Sequence, residues 1–163
     1  QWFMWKALLD WGEGDFAFRI AKTALDLWKG EVDESYNCFE HFLIESGRGA
    51  GWHQFGALSS PVLNWFAAYY VPGHLTTGFD AWVRECNWTS GCRGLDARLE
   101  FCGGRRGEAH VLVTLSPGSK YHVAWNGKTA RRSVILPGVL QVTIPNDPVG
   151  GRLTVRTISS TVI

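Results

Sequence analysis

Residues 60–74 read Ser60-Pro61-Val62-Leu63-Asn64-Trp65-Phe66-Ala67-Ala68-Tyr69-Tyr70-Val71-Pro72-Gly73-His74, and the fold turns on this stretch. A serine N-cap with proline at the first helical position starts a helix, and Pro72-Gly73 stops it near Tyr70. The helix is apolar on nearly every face, so protein must surround it. No Asp, Glu, Lys or Arg occurs from Gly49 to Phe79. The apolar run is nevertheless only about half the ~20 residues a bilayer span needs, which predicts a buried core helix and no membrane segment.

The pattern differs on the two sides of Pro72-Gly73-His74. Six of the nine Trp lie before it, in runs with helical spacing; after it comes two-residue alternation of apolar and polar residues. A boundary here divides the chain into a helical part, 1–73, and a β part, 74–163. Upstream, Trp2 to Trp11 reads as a helix ended by Gly12-Glu13-Gly14. Asp15 then caps a second helix whose apolar stripe is Phe16, Ile20, Ala24, Leu27 and Trp28, with Gly30 as its stop. Three helices in about 70 residues cannot enclose the third, which predicts a segment of a larger all-α assembly. Downstream, Leu95 to Phe101, Val111 to Leu115, Tyr121 to Trp125, Val134 to Leu136, Leu140 to Ile144 and Leu153 to Val155 read as strands. Asn126-Gly127 is a type I′ hairpin signal, and together these predict a small antiparallel β-sandwich.

Composition narrows the function. The 163 residues carry 16 Lys+Arg against 15 Asp+Glu, a net charge of +1, with no basic block to attract nucleic acid or an anionic membrane. At 45% hydrophobic and 19% charged, the chain lies far from the disordered class. Gln1-Trp2-Phe3-Met4-Trp5 has neither an initiator Met nor a basic n-region, which suggests a piece of something longer.

Cys86 and Cys92 stand six residues apart in a Gly/Ser/Asn-containing turn, and Cys102 ends the next predicted strand. No C-x₂-C spacing is present, so no metal site is expected. Asn87-Trp88-Thr89 is an N-glycosylation sequon. Together these predict a secreted protein with glycan on Asn87 and one disulfide within the cluster. Cys86 with Cys92 is the favoured pair, because the turn between them is short, and Cys38 stays reduced.

The segment between the second and third helices, Tyr36 to Gly56, is the part that packing does not explain. Gly47, Gly49 and Gly51 permit close backbone approach, and they are mixed with Arg48, Trp52, His53 and Gln54, side chains suited to stacking on and hydrogen-bonding a sugar. It is not a phosphate loop, since no Gly-Lys-Ser/Thr follows. Its register resembles the loop joining the last two helices of the (α/α)6-barrel glycoside hydrolases related to trehalase and processing α-glucosidase. Glu40-His41-Phe42, Gly47, Gly51, Phe55-Gly56 and Ser59-Ser60 carry the match, over roughly residues 1–72. Ala57 stands where that family usually has Trp.

The resemblance implies a fold of α+β type in two parts: the last helices of an (α/α)6 barrel, incomplete in this chain, followed by the small β-sandwich. It assigns Glu40 the role of catalytic general base in an inverting hydrolase of O-glycosyl, α-linked bonds, and needs no cofactor. Trp52, His53, Gln54, Arg48, Phe55 and Glu45 are the expected substrate contacts, with Glu45 also a rival for the base. Arg48 reads equally as a substrate or carboxylate clamp and as an ordinary loop charge. Glu34 lies six residues too far from Gly47 to take the role of base. His41 and His53 read as pocket walls, not as metal ligands. The family's catalytic acid is an upstream Asp absent here, so the expected partners are the N-terminal remainder of the same enzyme and a carbohydrate. Two other classes fit the same residues: a non-catalytic carbohydrate-binding or structural module, and an (α/α)6 polysaccharide lyase or epimerase.

Overall fold

The computed structural model describes residues 1–101 and 107–158, the side chains of 57–59 excepted. Cys102, and the side chain of Ser59, lie outside the described residues. Three helices come first, interrupted by a hairpin: α1 (Trp2–Asp10), α2 (Gly14–Ser35), strands β1 (Phe39–Phe42) and β2 (Gly49–His53), then α3 (Gly56–Tyr70). The remaining strands are β3 (His74–Thr77), β4 (Ala81–Trp88), β5 (Leu95–Phe101), β6 (Glu108–Thr114), β7 (Tyr121–Trp125), β8 (Lys128–Thr129), β9 (Arg131–Leu136), β10 (Val139–Pro145) and β11 (Gly151–Thr157).

Nine of these strands form a sandwich of a four-stranded sheet, β3-β6-β10-β9, and a five-stranded sheet, β4-β5-β11-β7-β8, both antiparallel throughout. The predicted strands carry their alternating apolar residues inward: Leu95, Leu99, Val111, Val113, Val123, Val142, Leu153 and Val155 are each at most 1% exposed and form one core. Asn126 and Gly127 both have positive φ, +47° and +79°, as a type I′ turn between β7 and β8 requires.

The helical layer lies on the outer face of the four-stranded sheet. Trp5, Leu9, Ala17, Ala21, Val62, Trp65, Ala68 and Tyr69 form a second core with Leu112 of β6 and Val139 of β10. Strand β6 therefore serves both cores, since the pleat sends successive side chains to opposite faces. The Thr114 hydroxyl donates to the Ala68 carbonyl at 2.5 Å, and Trp5 Nε1 donates to the Tyr69 hydroxyl at 2.9 Å. The Asp10 carboxylate accepts from the backbone N–H of Phe79 at 2.8 Å and of Asp80 at 3.3 Å. Lys6 donates to the Thr77 carbonyl, with its ammonium 5.8–6.0 Å from the Trp2, Trp5 and Phe79 ring centres.

This arrangement overturns the expected (α/α)6 end. Among the described residues there are three α-helices and eleven strands in three antiparallel sheets. What covers the buried side of α1 and α3 is a β-sheet, not further helix pairs. The all-round apolarity of α3 covers two environments: Val62, Trp65, Ala68 and Tyr69 are buried, while Leu63, Phe66 and Tyr70 are exposed. Helix ends shift as well. Helix α2 starts at Gly14, runs through Gly30 without interruption and ends at Ser35, with its C-cap Tyr36 in the left-handed region. Helix α3 begins at Gly56, leaving Pro61 inside it.

No disulfide is seen among the described cysteines. Cys38, Cys86 and Cys92 are free thiols. Cys86 belongs to β4, paired opposite Ala97, and not to a turn. Cys92 ends a single 3₁₀ turn, Ser90–Cys92, with its sulfur 2.9 Å from where a side chain on Gly73 would begin. Ordering β4 as a strand removes the short loop on which the pairing depended. No helix among the described residues is long and apolar enough to cross a membrane.

Candidate functional site: an aromatic groove beside a pinned hairpin

The segment expected to be a loop is a two-stranded hairpin fixed to α2. At its base, Asn37 Oδ1 accepts from the N–H groups of Cys38 and Gln54, both at 2.9 Å. At its tip, Leu43 N–H donates to the Arg48 carbonyl at 2.9 Å and Gly47 N–H to the Leu43 carbonyl at 2.8 Å. Glu31, buried on α2, anchors the far end. Its carboxylate accepts from Arg48 Nε at 2.8 Å, Arg48 Nη2 at 3.1 Å and the Gly49 N–H at 2.7 Å. The Arg48 guanidinium first, and then the Gly49 N–H, hold the Glu31 carboxyl down to about 2 from its ordinary 4.5. Arg48 also reaches Glu34 at 2.7 Å.

All three hairpin glycines are closely approached: a Cβ on Gly47, at φ +67°, would fall 2.9 Å from Leu27 Cδ2. A Cβ on Gly49 would fall 2.1 Å from the Phe39 ring, and one on Gly51 would fall 2.7 Å from Glu40 Oε2 and 2.9 Å from the His41 ring. Gly51 has φ +79° besides. The bare backbone at Gly51 thus leaves space for the Glu40 carboxylate, whose Oε2 accepts from the Trp52 N–H at 3.4 Å.

Between this hairpin, the start of α1, the middle of α2 and the start of α3 lies a groove of about 930 Å³. Its walls include the rings of Trp2, Phe3, Trp28, Phe39, Phe42 and Trp65, with Glu40, His41, Ser60 and Asn64 as polar groups. Glu40 is the one carboxylate among the lining residues. The indole N–H of Trp65 is buried with no acceptor among the described residues. The lining is mostly apolar, with a few polar groups among the rings, the composition that ligand clefts have.

Of the expected site residues, Glu40 and His41 line the groove. Trp52, 76% exposed, and the exposed His53 and Gln54 do not; nor does Phe55, which precedes α3. Glu45 sits exposed in the hairpin turn. Arg48 is committed to Glu31 and Glu34, which makes it a clamp on the protein's own carboxylates. Asn87 is exposed on β4. Sequence reading missed Trp2, Phe3, Trp28 and Trp65 as groove walls and Glu31 as the anchor. Glu31 follows Leu27 and Trp28 at helical spacing, so an apolar stripe ending on a carboxylate was its only signal. Among the described residues, no three His, Cys, Asp or Glu side chains stand close enough to hold a metal. Comparison with known proteins gave no matching family model and no match among curated proteins.

Proposed function

We propose that the groove binds a glycan and that Glu40 acts as the general base of an inverting glycoside hydrolase. The observation that carries this reading is the position of Glu40: a lone carboxylate in an aromatic cleft, oriented by the Trp52 N–H and given space by Gly51. Flat aromatic walls suit the apolar faces of sugar rings, and the buried Trp65 N–H offers a donor to an incoming oxygen. Inversion requires a second carboxyl group roughly 6.5–9.5 Å away, to protonate the leaving oxygen while the base draws a proton from water on the opposite face. Since Glu40 has no such companion among the lining residues, the acid comes from a separate segment, the N-terminal remainder of the same enzyme. The exposed Phe3, Met4, Trp11, Leu63 and Phe66 give that segment an apolar surface to cover. The Asn87 sequon on exposed β4 agrees with a secreted glycoprotein.

Glu40→Gln keeps the shape of the side chain and removes the basic oxygen. In the assembled enzyme it should lower turnover about 10²–10⁴-fold while oligosaccharide binding, measured by calorimetry, persists. Full hydrolysis by the Gln variant would reject the assignment of the base. A second reading, a non-catalytic glycan-binding or structural module, is favoured by Trp52, His53 and Gln54 lying outside the groove. It predicts binding without hydrolysis in the assembled protein, before and after the substitution. An unsaturated or isomerised product would instead indicate a lyase or epimerase.

A further inference from the structure

The short connection between α1 and α2 rests on the sheet through one titratable side chain. The ring of His110 on β6 lies against Gly12 in that turn, and the residue stands directly opposite Thr143 of β10 in the ladder. One ring nitrogen, Nδ1, lies 3.1 Å from Thr143 Oγ1. The ring supports Gly12 so closely that a Cβ there would fall 2.7–2.9 Å from Cε1, Nε2 and Nδ1. Gly12 has φ +75°, and its carbonyl accepts from Gln141 Nε2 at 2.8 Å. No hydrogen bond to His110 Nε2 occurs among the described residues. A second proton on the ring would place a charge against the Gly12 backbone it supports, where partial burial disfavours it.

We propose that His110 is a pH-sensitive latch: neutral, it seats the α1–α2 turn on the four-stranded sheet, and protonated, it releases the turn. The charged groups acting on the ring are Asp10 from α1, Glu108 from β6 itself and Arg131 from β9. Glu108 and Arg131 are paired with each other. Glu13 in the turn and Asp15 at the start of α2 are not among those acting on it. Partial burial prevails over the two carboxylates and, with Arg131, lowers the His110 pKa below its ordinary 6.5. A histidine lowered by folding binds more protons when released, so its contribution is complete above the ordinary value and is lost as pH falls toward the folded one. The latch is independent of what the groove binds.

Hydrogen exchange on the whole chain between pH 7.5 and 5, corrected for intrinsic rates, tests it. Protection of the amides of residues 11–17 should fall as pH drops, by up to about tenfold per pH unit, while β5 and β11 hold theirs. His110→Asn retains reach to Thr143 without titrating, and it should flatten the dependence. Protection that ignores pH in the unaltered protein, or falls equally in the Asn variant, overturns the latch. Should the Asn variant not fold, His110→Phe takes its place under the same criteria. If neither folds, NMR titration of His110 in the unaltered protein decides: a midpoint below the ordinary value supports the latch, and one at or above it overturns the proposal.

Discussion

Gly51 shows how a missing side chain shapes the groove. Alanine there adds a carbon 2.7 Å from Glu40 Oε2 on a backbone that L-residues enter at a cost of roughly 1–2 kcal/mol. Gly51→Ala should therefore destabilise the hairpin and displace the Glu40 carboxylate, seen as a lower melting temperature and weaker oligosaccharide binding. Glu31 makes a separate prediction. Because Arg48 and the Gly49 N–H lower its pKa from 4.5 to about 2, its stabilisation of the hairpin is complete above about pH 4.5 and is lost as pH falls toward 2. Glu31→Gln should remove that acid-sensitive step from an unfolding-versus-pH series and loosen residues 43–49 at neutral pH, while exchange in β5 and β11 stays as before.

At the scale of elements, the helices are held by apolar burial and by a few buried polar contacts that fix their seating. Tyr69→Phe leaves the Trp5 indole N–H without its 2.9 Å partner, and an unpaired buried donor costs about 1–3 kcal/mol. The denaturation midpoint should fall accordingly with little change in its slope. The same elements show what the sequence carried. Period-two alternation identified β5 and β11, whose outward side chains are wet, while β6 and β10 carry apolar residues on both faces because they lie between the two cores. Strands β3 and β4 escaped notice for the converse reason: His74 to Thr77 is half-buried throughout, and β4 is exposed at most of its positions, so neither shows a clean period. The hairpin at β1–β2 was hidden by its short strands and by a register irregularity between Phe39 and His41. Glu40 was singled out only through the resemblance to a barrel family whose helical architecture this structure does not share, and it lines the groove. The aromatic walls were not legible, since Trp2, Trp28 and Trp65 meet only through tertiary packing.

Across the whole molecule, one strand joins two cores. Leu112 is 1% exposed on the helical side of β6, between Val111 and Val113, which serve the sandwich. Leu112→Ala should cost about 2–5 kcal/mol. Because both cores share that strand, calorimetry should show a single transition moved to lower temperature, not an early loss of the helices alone. The shared strand also sets an order of assembly. The helices precede their platform in the chain, yet α1 meets β6 about a hundred residues downstream, a distance whose loop-closure entropy must be met before contact is rewarded. Refolding should therefore show sandwich formation first, with Trp5 entering its pocket in a later and slower phase. During synthesis residues 1–70 leave the ribosome before the β6 and β10 side chains that they pack against, Leu112 and Val139, and chaperones have their longest opportunity to bind there.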